Sequence, residues 1–146
     1  MNPFQSLSDY EEFVYTLPQQ FAQITRSTLV VARRGLGIAT VSGEIYFNNG
    51  YRLAVYEIFT WDYGPLVIQR YSYEVWRGND QCYWYDPQPH PDDPELGSTA
   101  PHHKHVPPDI KHHRIPAPGM RFDAANLPQL IAEVVQQTTR DTDERG

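Results

Sequence analysis

The segment Glu44-Ile45-Tyr46-Phe47-Asn48-Asn49-Gly50-Tyr51-Arg52-Leu53-Ala54-Val55 carries the clearest structural signal in the chain. Two runs rich in β-branched and aromatic residues flank Asn49-Gly50, and Asn-Gly readily supplies the two positive φ values of a type I′ turn. The segment therefore reads as a β-hairpin with Tyr46 and Arg52 on adjacent antiparallel strands. Upstream, residues 28–34 (TLVVARR) and, after a Gly-Leu-Gly turn, residues 38–47 have the same β-branched character. Downstream, Gly64-Pro65 breaks the chain, residues 66–76 form a further strand, and Gly78-Asn79-Asp80 turns it into residues 81–86. Sequential strands joined by short turns imply an antiparallel meander of four or five strands, one face of which must be covered.

Two helices are available as the cover. Ser8 and Glu11 suggest a capping box, and Tyr10, Phe13, Val14, Leu17, Phe21 and Ile24 follow at helical spacing, so a helix is expected over 9–23, bent near Pro18. A last helix over 126–137 has the apolar stripe Leu127, Leu130, Ile131, Val134 and Val135, with Asn126 as its cap and Pro128 in its first turn. Residues 138–146 read as a disordered polar tail. The expected fold is a single α+β domain over residues 1–137, with an N-terminal and a C-terminal helix packed on the sheet.

The 146-residue length suits one domain with a modest core. No apolar run is long enough to span a membrane and no secretory leader is evident, so a cytoplasmic protein is expected. Cys82 is the single cysteine, which excludes an intrachain disulfide and an all-cysteine metal site. A formal charge of −6 argues against a broad non-specific DNA-binding surface but leaves room for a local cationic pocket.

The histidines are strongly localised. All six lie between His90 and His113, and 9 of the 13 prolines lie between Pro87 and Pro118. Because proline removes a backbone donor and fixes φ, residues 87–119 are expected to form a long ordered loop containing neither helix nor central strand. Loops of this length in compact domains are usually functional or disordered. If His102 to His105 are extended, His103 and His105 point one way and His102 and Lys104 the other, so that two imidazoles and a cation flank a common ligand. One imidazole can then act as base and another as acid, which is what RNA cleavage through the 2′-hydroxyl requires, with Lys104 or Arg70 countering the charge that develops on phosphorus.

Other readings of the same residues stay open. Neutral histidines with Asp86 or Glu57 would also make a three-ligand metal site. A solvated loop that recognises a protein partner would need no chemistry at all. Glu57 shares a strand face with Tyr51, Leu53, Val55 and Phe59, which places a carboxylate among apolar neighbours unless it lies at the strand end and reaches water. The group Lys111-His112-His113-Arg114 is a phosphate site or the edge of a partner surface. Tyr71 and Tyr73 share a face with Gln69 and Val75, opposite Arg70, as core residues or as platforms for bases.

Taken in order, residues 43–50, Leu53, Glu57, Tyr71-Ser72-Tyr73, Tyr85-Asp86, His90 and Pro101-His102-His103-Lys104-His105 resemble the TumE-type toxin family of bacterial toxin–antitoxin systems, over roughly residues 28–136. The resemblance implies a small α+β toxin acting on RNA, encoded beside an antitoxin that neutralises it. It assigns the family's acidic, tyrosine and histidine positions to Glu57, Tyr73, Asp86, His90, His102, His103 and His105. The chain departs from the family in having His90-Pro91 where a His pair is common, and in a longer, more proline-rich stretch over 106–119.

The resulting expectation is a metal-independent ribonuclease. His102, His103 and His105 supply acid and base, Glu57 orients or neutralises a histidine, and Asp86 anchors the loop. Lys104 and Arg70 hold phosphate, Tyr73 positions a base or phosphate, and His90 and His113 contact substrate. No cofactor is required, although a divalent metal is compatible with the residues. Alternatives are a nuclease for small cyclic oligonucleotides, a metal-dependent phosphodiesterase, and a non-catalytic binding module. The partners expected are RNA or an oligonucleotide and an antitoxin, with a homodimer among the compatible assemblies and no membrane.

Overall fold

A computed structural model describes residues 2–62 and 64–145, with side chains through residue 137. The hairpin is present, with Tyr46 opposite Arg52 and Ile45 opposite Leu53. Its turn is one residue longer than expected, because Asn48, Asn49 and Gly50 all lie between the strands. Gly50, at φ 94°, takes the positive-φ position common in three-residue hairpin loops.

The sheet contains eight strands rather than four or five: β1 Ile24–Ser27, β2 Val30–Gly35, β3 Ile38–Phe47, β4 Tyr51–Thr60, β5 Val67–Arg77, β6 Asp80–Asp86, β7 His103–His105 and β8 Arg114–Pro116. All observed pairings are antiparallel, in the order β1-β3-β4-β5-β6-β7-β8, and β2 also pairs with β3. Thus β1 and β2 form one edge against β3, interrupted at Thr28-Leu29. Gly43 lies opposite the interruption at φ 138°, where a Cβ would sit 2.6 Å from Thr28 O. Only glycine fits such a close approach.

The three unforeseen strands have identifiable causes. Residues 24–27 continue the helical spacing of the N-terminal segment, but the segment ends early. Helix α1 spans Leu7–Tyr15, capped by Ser6 rather than Ser8, and Thr16 breaks it before the short α2, Leu17–Gln20. Pro18 cannot continue α1 but fits the first turn of a new helix. Strand β7 corrects the expectation that residues 87–119 hold no central strand. Residues 102–106 are a proline-free gap, and β7 occupies it, between β6 and β8. Pro116 lies on the terminal strand β8, where a missing donor is tolerated. A 3-10 turn, Pro94–Thr99, fills part of the remaining loop.

One face of the sheet carries Leu53, Val55, Phe59, Tyr73, Val75, Tyr83 and Tyr85, buried with Tyr10 and Val14 of α1 and Leu127, Leu130, Ile131 and Val134 of α3, Leu127–Arg145. Helix α3 thus runs past the expected end at Gln137. The proposed disorder of 138–146 lies outside the residues whose side chains are described. Asn126 precedes α3, but its side-chain oxygen accepts from Arg121 N, so it ties down the preceding loop instead of capping the helix.

Candidate functional site

Directly opposed residues of antiparallel strands point to the same face. Trp84 opposes His105, Asp86 opposes His103, and Arg114 opposes His105. These five side chains therefore gather on the face away from α3, and Lys104, opposite Tyr85, points to the helical face. Residues 87–102 and 106–113 cover the two histidines, leaving His103 1% and His105 3% exposed.

The histidines converge on one carboxylate. His103 Nε2 lies 3.0 Å from Asp86 Oδ1, His105 Nε2 lies 3.1 Å from Asp86 Oδ2, and the two Nε2 atoms are 3.1 Å apart. On the other side of each ring Nδ1 meets a backbone carbonyl, Pro101 O at 3.2 Å for His103 and Ile110 O at 2.9 Å for His105. A carbonyl can only accept, so each Nδ1 carries a hydrogen and each neutral ring presents a bare Nε2. Asp86 is fixed in turn by Trp84 Nε1, donating at 2.7 Å, and by Gln88 N, donating at 2.9 Å. The Trp84 and His105 rings stack with centroids 3.7 Å apart.

The ionisation of these groups follows from their surroundings. Burial pushes the Asp86 carboxyl up, but hydrogen bonds from His103 in its charged form, from Trp84 and from Gln88 N outweigh it and hold the group below the usual carboxylate range. Burial lowers His105, against the opposing pull of Asp86. His102 is lowered by burial and by the neighbouring His103 charge.

Two depressions meet at Asp86. A cavity of about 470 Å³ is lined by Arg70, Tyr71, Ser72, Asp86, Gln88 and Phe122, among others. The Tyr71 hydroxyl lies 2.6 Å from His102 Nδ1, and burial, then the Asp86 charge, raise its pKa, so it is protonated at neutral pH. A smaller depression of about 230 Å³ is lined by Asp86, His90, His105, Lys111, His112 and Arg114. Arg114 Nε is buried there with no hydrogen-bond partner among the described residues.

A family model described as Toxin TumE matches residues 14–138. The chain belongs to the TumE toxin family. No curated protein and no solved structure shows significant similarity to it.

The TumE match spans β1 to β8 and most of α3, and so includes the whole histidine cluster. Of the residues singled out from sequence in this TumE protein, Asp86, His103 and His105 come together. His102 joins through Tyr71, Arg70 lines the cavity, and the His90 ring lies edge-on to His103 at 4.8 Å. Four assignments are corrected. Glu57 is fully buried on the helical face, bonded by the Tyr10 and Tyr73 hydroxyls at 2.5 Å each, and touches no histidine. Tyr73, which also accepts from Asn126, is sealed in the same network and offers no surface to a base. Lys104 lies over the Tyr83 ring at 4.2 Å and 3.6 Å from Glu133, on the wrong face to hold phosphate beside the histidine pair. His113 is exposed, with Nδ1 donating to Pro107 O, and lines neither depression. Trp84 was missed as a site residue, Tyr71 was read only as a core residue or a platform for bases, and Arg114 was legible only as part of a basic group. Its place depends on the β7–β8 register.

Proposed function

We propose that this toxin-family protein cleaves phosphodiester bonds of RNA at the Asp86–His103–His105 cluster. The observation that carries the reading is the convergence of two tautomer-fixed imidazoles and a carboxylate where a depression lined by Lys111 and Arg114 meets an open cavity. Arg114 and Lys111 supply positive charge for a phosphate, and Arg70 supplies it from the other side. In the proposed reaction the substrate 2′-oxygen attacks the adjacent phosphorus, and the cluster takes the 2′-hydroxyl proton. The bond from phosphorus to the 5′-oxygen breaks, and Tyr71, hydrogen-bonded to His102, gives that oxygen a proton. The products are a 2′,3′-cyclic phosphate end and a 5′-hydroxyl end.

Membership of a toxin family also implies an antitoxin partner. Among the described residues no helix is long and apolar enough to cross a membrane. The direct test is incubation of the purified protein with end-labelled linear RNA and, separately, with cyclic oligonucleotides. Cleavage of linear RNA that leaves 2′,3′-cyclic phosphate ends is expected. Hydrolysis of the cyclic substrates alone would redirect the reading to small oligonucleotide signals, and inertness toward both would sink it.

A further inference from the structure

The histidine cluster leaves a charge problem that its own groups do not solve. With both Nδ1 hydrogens committed to carbonyls, two neutral rings would leave bare Nε2 atoms 3.1 Å apart, each 3.0–3.1 Å from one Asp86 oxygen, with no hydrogen among them. Three acceptors at that separation repel unless a cation lies between them. The cation is either a proton, making one ring imidazolium, or a metal ion.

We propose that Asp86, His103 and His105 bind one divalent transition ion of the zinc or manganese class. Three independent features favour an ion over a proton. Donors bonded at about 2.0–2.1 Å to a tetrahedral ion stand roughly 3.3–3.4 Å apart; the two Nε2 atoms are 3.1 Å from each other, each is 3.0–3.1 Å from its own Asp86 oxygen, and one donor atom from each residue lies within 4.8 Å of the other two. Each ligand is held from behind as metal ligands are: the two rings by backbone carbonyls, the carboxylate by Trp84 Nε1 and Gln88 N. Lastly, two imidazoles and one carboxylate form the donor set of catalytic sites that leave a position open for substrate, and nitrogen donors favour zinc or manganese over calcium or magnesium. Among the described residues this is the one group of three such side chains close enough to share an ion.

The open side of the site faces the meeting point of the two depressions, which Asp86 and Gln88 both line. There the ion's catalytic part rests on the cleavage reading above, whereas its binding does not. As ligands the imidazoles no longer carry protons. The ion would instead lower the pKa of the attacking 2′-hydroxyl, so that its proton passes to solvent water, and would offset charge on the phosphoryl oxygens. This reverses the metal-independence expected of the loop.

The test uses the full chain, stripped with chelator and dialysed, then titrated with Zn²⁺ by calorimetry and with Co²⁺ by visible absorption. One ion per chain is expected, with the Co²⁺ bands of a low-coordinate site. Asp86→Asn, which preserves shape, should weaken binding by about 10²-fold or more, and Trp84→Phe, which removes the outer hydrogen bond and part of the ring stacked on His105, by roughly 10- to 100-fold. His113→Ala, at an exposed histidine outside the cluster, should leave the affinity unchanged. No stoichiometric ion, or an ion indifferent to Asp86→Asn but lost in His113→Ala, would overturn the proposal. RNA cleavage at full rate by protein shown to be ion-free would overturn the ion's catalytic part, while leaving the cleavage reading standing. Stoichiometric binding without cleavage of any RNA would support the ion site and overturn the cleavage reading.

Discussion

Glu57 illustrates how a single residue can be read half-way from sequence. Strand alternation places its carboxylate among apolar neighbours, and the structure confirms full burial. Its partner Tyr10 is 47 residues away on a helix whose docking no local pattern specifies, so the histidine assigned to it was wrong. Burial raises the Glu57 pKa above its ordinary 4.5, against the lowering effect of the Tyr10 and Tyr73 hydroxyls. The native state therefore holds the proton more tightly than the unfolded chain. The group's contribution to stability is fully present below the ordinary carboxyl range and is lost as pH rises toward the raised value. Melting temperature followed over roughly pH 4 to 8 should show this decline, and Glu57→Gln should flatten it. A variant profile parallel to the parental one would show that Glu57 does not titrate across that range. The histidines follow a related logic. Read as part of a solvated loop, His103 should tolerate truncation, but at 1% exposure and bonded to Asp86 it should cost about 1–3 kcal/mol when changed to Ala, measured by denaturant unfolding.

At the scale of elements, local chemistry decided what could be foreseen. The β3–β4 hairpin and the β5–β6 turn were legible because turn residues and alternation agree there. Strand β7 was hidden because the density of prolines around it outweighed the short gap that it fills. With β7 unseen, the pairing of His105 with Arg114 was unseen too, since it depends on register across residues 106–113. The alternation of His103 and His105 against Lys104 was still readable, because it needs only an extended backbone. The broken edge formed by β1 and β2 gives a prediction at this scale. Gly43→Ala would force a Cβ to 2.6 Å from Thr28 O at a positive φ, so it should destabilise the fold by more than the ~1 kcal/mol typical of a strand glycine. Gly50→Ala, at a positive φ but with open space around it, should cost less. Equal melting temperatures for the two variants would contradict the assignment of Gly43 to a close backbone approach.

For the whole molecule, the charge of −6 and the basic depression beside Asp86 act together. The global field disfavours long polyanions, so the RNA of the proposed reaction would be held through a few local contacts. Arg114→Ala and Lys111→Ala should each weaken RNA binding and reduce the slope of log K against log salt by about 1 or less, readable by anisotropy at several salt concentrations. Unchanged slopes would mean that the depression does not touch phosphate. The central claim is that Asp86, His103 and His105 form the reaction centre. It is tested most directly by single-turnover cleavage of end-labelled RNA by the parental protein, Asp86→Asn, His105→Ala and His113→Ala, each first shown to be folded by its melting transition. The first two variants should lose about 10²-fold or more in rate while His113→Ala cleaves at the parental rate. Parental rates in folded Asp86→Asn and His105→Ala would contradict it.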